Sequence, residues 1–177
     1  MKKSVQAAVG GVCAALSVAV MLCSGIFYVF TYAVPMILGL VMMFLKRTFS
    51  SSCAWCVYIA VSILSIILVP DKETVLMYTL FFGYYPIIKS NIDKIKFKLI
   101  RNIVKLLIFN LAVAAVECIA YFIFGIPFFE DGNFSAAMII LFTVLLNVTF
   151  VLYEFLLKNF MILYERNLEK RILKIFK

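Results

Sequence analysis

Glu117 stands inside a long apolar run, where a charge finds no water. A carboxylate at membrane depth is costly unless it faces a bundle interior or a wet cavity, and such residues mark binding sites and ion pathways. Helical spacing lines up Asn110, Ala114, Glu117 and Tyr121 on one side of that run. Asn147, in a later apolar run, is placed to bond Asn110 or Glu117 across helices. Glu117, Tyr121, Asn110 and Asn147 are therefore the candidate set for holding a polar group of a small solute. A protonated or hydrogen-bonded structural Glu117 is the alternative reading.

Other chemistry is thin. Histidine is absent, which removes the commonest general base and metal ligand. Cys53 and Cys56 form one CxxC pair with no second pair to complete a tetrahedral site, and they read as packing residues. No Gly-rich phosphate loop, paired catalytic carboxylates or nucleophile with a base is found. No catalytic residue, metal or cofactor is expected, and the chain is not read as an enzyme.

The elements that must position Glu117 follow from composition. Hydrophobic residues make up 66% of the 177 and charged residues 15%, with mean hydropathy +1.10. Such values belong to an integral membrane protein. Long continuous apolar runs exclude the alternating strands of a β-barrel. The expected fold is an all-α bundle of six transmembrane helices in a single membrane domain. Its spans lie at about residues 6–23, 31–45, 52–69, 74–88, 101–125 and 135–157, followed by a basic tail over 158–177. The uncharged stretch from Ser4 to Leu45 is about 60 Å long as one helix, so it must fold back once, near Ser24-Gly25 and the aromatic patch up to Tyr32. Pro86 should kink or end the fourth span.

Residues 90–125 read as one unbroken helix, basic and amphipathic at its start, with Ser90 or Asn91 as N-cap. Lys94, Lys98, Arg101 and Lys105 fall in one sector opposite Ile92, Ile95, Leu99, Ile103 and Leu106, and Lys96 breaks the pattern. The stripe is expected at lipid headgroups, or else as a solvated face. Glu154 and Lys158 have the favourable i,i+4 order for a structural pair.

Alternating sides from an inner N-terminus puts every basic residue but Lys72, of 17 in all, on the inner side. Lys72 is joined outside by Asp71, Glu73, Glu130 and Asp131. The positive-inside rule then places both termini in the cytoplasm of a bacterial inner membrane, multi-pass. The net charge of +8 flanks apolar runs instead of forming an aromatic-laced patch, so nucleic acid is not an expected partner. The outer acidic residues are read as a solvated loop, and Asn133-Phe134-Ser135 matches a glycosylation acceptor.

In the first span Ala7, Gly11, Ala15 and Ala19 recur every four residues, a stripe that allows close helix approach, inside the bundle or against another protein. This stripe, the proline-led run from Pro35 to Leu40 (PMILGL) and the six short spans resemble the S components of energy-coupling-factor transporters. The resemblance implies that Ala7, Gly11 and Ala15 dock on a transmembrane coupling subunit that works with ATPases. It also implies that a small solute enters from the outer face. Gly11 stands where that family often has Ala. Asp71-Lys72-Glu73, Phe82-Gly83-Tyr84-Tyr85-Pro86 and Leu152-Tyr153-Glu154-Phe155 also look like a group of uncharacterised Firmicutes membrane proteins. The alternative function is a non-transporting membrane scaffold for cell-envelope or rod-shape assembly. Membrane lipids are the remaining expected partner.

The topology has a direct check. In a background free of native cysteines, a cysteine placed at Gly132 should react with an impermeant thiol reagent on intact cells and one at Ser90 should not. The reverse pattern overturns the orientation.

Overall fold

The computed structural model describes residues 3–24, 28–125 and 136–168. Among them there is no strand. The helices are α1 (Lys3–Ser24), α2 (Tyr28–Thr48), α3 (Ser51–Leu68), α4 (Lys72–Met77), α5 (Tyr85–Ile92), α6 (Lys98–Phe124) and α7 (Ala136–Leu163). A π-helical turn, Tyr78–Phe82, joins α4 to α5, and another, Tyr164–Leu168, extends α7. Four segments are long and apolar enough to cross a membrane: Lys3–Ser24, Ser51–Leu68, Lys98–Phe124 and Met138–Arg166.

α2 is the shared wall between two cores. One face presents Val34, Leu38, Met42 and Leu45 to α1 and α3, where Ala14, Val18, Met21, Val57 and Val61 are buried. The other face turns Met43, with Met36 and Leu40, toward Phe81, Phe82, Tyr85, Phe109, Phe150 and Tyr153. The second core is aromatic: Phe109 stacks on Phe150 at 4.8 Å and Phe81 on Tyr85 at 4.6 Å, geometries that aromatic pairs favour. α1 lies along α3, with Gly10, Ala14 and Ser17 on the buried side. α7 meets α6 and α2 only sparsely.

Polar residues close both ends of α3 and the start of α4. Ser50 caps α3 by accepting from Cys53 N at 3.1 Å. Lys72 donates to the carbonyls of Ile66 (2.9 Å) and Val69 (2.8 Å) at its other end. Asp71 caps α4, accepting from Thr74 N at 3.2 Å, and also receives Ser24 (3.2 Å) and Thr31 (3.3 Å). The acidic turn expected to be a solvated loop is thus a tie between α1, α2 and α4. Gly125 ends α6 at φ 63°, a left-handed geometry that favours glycine.

Pro86 stands in the first turn of α5, where a missing N–H breaks no helical bond. The π turn before it closes with Gly83 N on the Tyr78 carbonyl at 2.8 Å. Tyr58 of α3 donates to the Thr79 carbonyl at 2.7 Å inside this bulge. The Phe82 carbonyl lies against Gly39 of α2, where an added Cβ would fall 2.8 Å from that oxygen and 2.1 Å from the Tyr153 hydroxyl.

Several boundaries differ from the sequence reading. Residues 90–125 are not one helix: α5 ends at Ile92, residues 93–97 turn, and α6 starts at Lys98 with no side-chain cap. Asp93 causes the break by drawing in Lys89 from before it and Lys105 from after it. α2 starts at Tyr28 rather than Thr31 and carries Pro35 inside it, and α7 runs past 157 into the stretch read as a tail. The loop with Glu130, Asp131 and Gly132, the Asn133 acceptor and the basic residues after 169 lie outside the described residues.

Gly39→Ala should lower the thermal stability of the purified protein by about 1–3 kcal/mol, because backbone as well as a ring must move. Gly11→Ala, with nothing within 4 Å of the added carbon, should be neutral or slightly stabilising. Equal melting temperatures for the two variants would contradict this packing.

Candidate functional site

Two polar sites face opposite ends of the bundle. At the end carrying Asp71, a cleft opens between α2, α6 and α7. One part, about 280 Å³, is lined by Tyr32, Met36, Met77, Phe82, Phe109 and Thr149, among others. The next, about 370 Å³, is lined by Asn110, Ala114, Glu117, Cys118 and Thr143. They share Val113, Phe142 and Leu146 as a common wall. The cleft runs along the first half of α7, where Ile139, Leu141, Val144 and Leu145 are exposed.

Glu117 projects into the second part, half-buried, with no hydrogen bond or ion pair among the described residues. Glu73 lies within its electrostatic reach, and Glu73 accepts from Tyr32 at the rim of the first part. Asn110 and Asn147 meet across α6 and α7, each amide donating to the other's oxygen at 3.0 and 3.3 Å. Each also donates to a carbonyl of its own helix, Leu106 and Thr143, at 2.8 Å. Of the two partners open to Asn147, Asn110 is the one it meets, as a clasp between two helices; Asn110 lines the Glu117 cavity and Asn147 does not. Tyr121 does not join the set. It is 54% exposed, does not line the cavity, and packs edge-on against Phe122. One turn beyond Glu117 there is no facing helix among the described residues to enclose it.

The second site was not foreseen. Glu154 of α7 accepts from Tyr85 and Lys89 of α5 and from Lys105 of α6 at 2.9 Å. Asp93, in the turn between these helices, takes Lys105 as a close ion pair and Lys89 at 3.7 Å. Lys89 and Lys105 are 5% and 6% exposed. The stripe Lys94, Lys98, Arg101 and Lys105 is correspondingly broken up. Lys94 lies in the turn and donates to Asn91 at 3.3 Å, Lys98 is exposed, Arg101 half-buried, and Lys105 is inside. Glu154 pairs with these lysines and not with Lys158. The available signal was a lysine and a glutamate each embedded in an apolar run, a combination that hydrocarbon tolerates when they meet.

The proposed docking stripe faces outward. Ala7, Gly11 and Ala15 are exposed, while Gly10 and Ala14 form the side packed on α3. Ala7 and Gly11 border a shallow groove between α1 and α3 that also includes Cys53 and Cys56. Both cysteines are free thiols.

Comparison of the chain with protein-family models, curated proteins and solved structures yields no match. The geometry alone carries the functional reading.

Burial opposes ionisation of Asp93, but Lys105, Lys89 and Arg101 around it outweigh that and hold its carboxyl below the ordinary value. A depressed folded-state pKa gives stability that is present above the unfolded value and lost as pH falls through the folded one. Asp93→Asn should therefore cost on the order of 1 kcal/mol at neutral pH, as expected for a solvent-reached pair. The variant should also lose part of the wild-type acid sensitivity below about pH 4. An unchanged pH–melting curve in the variant would remove Asp93 from the network.

Proposed function

We propose that this protein is a six-span inner-membrane subunit that takes a small solute from the outer face and passes it on with partner subunits, as S components do. The observation that carries this is the cleft between α2, α6 and α7, with Glu117 on its wall and unpaired among the described residues. A scaffold packed solid at this level would offer no such volume. α2 and the segmented stretch from α4 to α5 supply the two crossings beyond the four long apolar segments. The charge distribution turns the Asp71 end outward and both termini toward the cytoplasm.

The lining sets the solute class. Phe82, Phe109 and Phe142 with Met36 and Met77 offer apolar and π surface, and Glu117 supplies a negative charge. A largely apolar organic cation satisfies both, through ring faces and an ion pair. The outward stripe Ala7, Gly11 and Ala15 leaves α1 open to a helix of a coupling subunit, since small residues let two helices approach in lipid.

Tetraphenylphosphonium and tetraphenylborate have the same shape and opposite charge. The purified protein should bind the cation in preference to the anion, and Glu117→Gln should weaken cation binding about tenfold or more, the loss of one close charge partner. Gly11→Leu should leave both binding and melting temperature unchanged while abolishing co-purification of partner subunits. Equal binding of the two ions, or no effect of Glu117→Gln, would contradict the solute reading.

A further inference from the structure

The opposite end of the bundle holds two adjoining cavities, of about 550 and 270 Å³, that share Lys89, Asp93 and Met161. Lys46, Arg47, Lys89, Arg101, Lys105 and Lys158 border them, against three carboxylates, Asp93, Glu154 and Glu165. All three carboxylates are engaged. Glu154 and Asp93 hold Lys89 and Lys105, and Glu165 holds Arg47 at 3.5 Å. Among the described residues, three of the bordering cations have no carboxylate within ion-pair distance. Lys46 is fixed by the Ile87 carbonyl and the Ser90 hydroxyl, neutral groups, with Arg47 and Lys94 nearby. Arg101 and Lys158 have no hydrogen-bonded or ion-paired partner among the described residues.

Three such cations bordering adjoining cavities repel one another unless an anion enters. The space is ample for a phosphate group and more. Arginine presents a planar fork that matches phosphate oxygens, and lysine adds a point charge. We propose that these cavities bind a phosphate group, with Arg101 and Lys158 holding it in the larger one and Lys46 adding positive charge from the smaller. The ligand chemistry is that of an anionic phospholipid headgroup or of free phosphate. Phe155 and Ile162, 63% and 52% exposed, border the larger cavity and offer apolar surface to an acyl chain. Basic pockets between helices at the inner membrane face are suited to such headgroups. This site is separate from the Glu117 cleft and stands or falls independently of it.

The test uses the full-length protein in a neutral detergent, with melting temperature and retained lipid in native mass spectrometry as readouts. The probes are phosphatidylglycerol, phosphatidylcholine and inorganic phosphate. Phosphatidylglycerol should stabilise and be retained, and phosphatidylcholine should not. The Arg101→Gln/Lys158→Gln pair should weaken phosphatidylglycerol binding roughly 30-fold, two basic contacts' worth at a membrane surface. Lys96→Gln/Lys98→Gln, an equal change of net charge at exposed positions, should shift it far less. The exchange Arg101→Lys/Lys158→Arg, which keeps both charges, should retain binding and controls for loss of fold. Stabilisation by inorganic phosphate as well identifies the phosphate group itself as sufficient; stabilisation by the lipid alone assigns the site to a headgroup with its chains. Equal response to the two lipids, equal loss in both Gln pairs, or no response to either anion overturns the proposal.

Discussion

The arrangement of the last three helices depends on one shared carboxylate. Glu154 draws Tyr85, Lys89 and Lys105 to a single point between α5, α6 and α7. Buried charges cost several kcal/mol each unless their partners are well placed, and removing one partner leaves the others uncompensated. α7 and the turn after it are also held by the Asn110–Asn147 clasp, the aromatic contacts of Phe150 and Tyr153, and the Thr48–Tyr164 hydroxyl pair at 2.9 Å. These lie from the middle of α7 onward, and the cleft runs beside its earlier turns, at Phe142, Leu145 and Leu146.

The remainder of the bundle is held by different means. α1, α2 and α3 pack through small and aliphatic side chains, and Asp71 gathers the ends of α1, α2 and α4 through three hydroxyls. The π turn between α4 and α5 leads into Tyr85 and Lys89, which give Glu154 two of its donors. Gly39 is the point on α2 where the bulge and Tyr153 can both approach. Stability and site placement are therefore coupled through α2, which faces both cores.

Much of this was legible in the sequence because hydropathy acts residue by residue: the helical class, the outlines of α1, α3 and the apolar part of α6, and the turn at Asp71. The face shared by Asn110 and Glu117 was legible too, since α6 is regular from Lys98 to Phe124. The break at 93–97 was hidden because the projected lysine stripe continues across it, and only the ion pairs that Asp93 makes with Lys89 before the turn and Lys105 after it show why the chain turns there. Tyr121 misled for the opposite reason: it has the right helical phase but no neighbouring helix among the described residues. Glu154 looked like half of a local pair with Lys158 because sequence spacing sees i,i+4 neighbours and is blind to contacts between distant helices.

The central claim is that Glu154 and Lys105 together seat α7. A double-mutant cycle on thermal unfolding of the purified protein, using Glu154→Gln, Lys105→Gln and both, measures it most directly. The account predicts that each single change is costly and the double change costs less than their sum, with a coupling of about 1–3 kcal/mol. Additivity to within about 0.3–0.5 kcal/mol, the behaviour of independent sites, would contradict it.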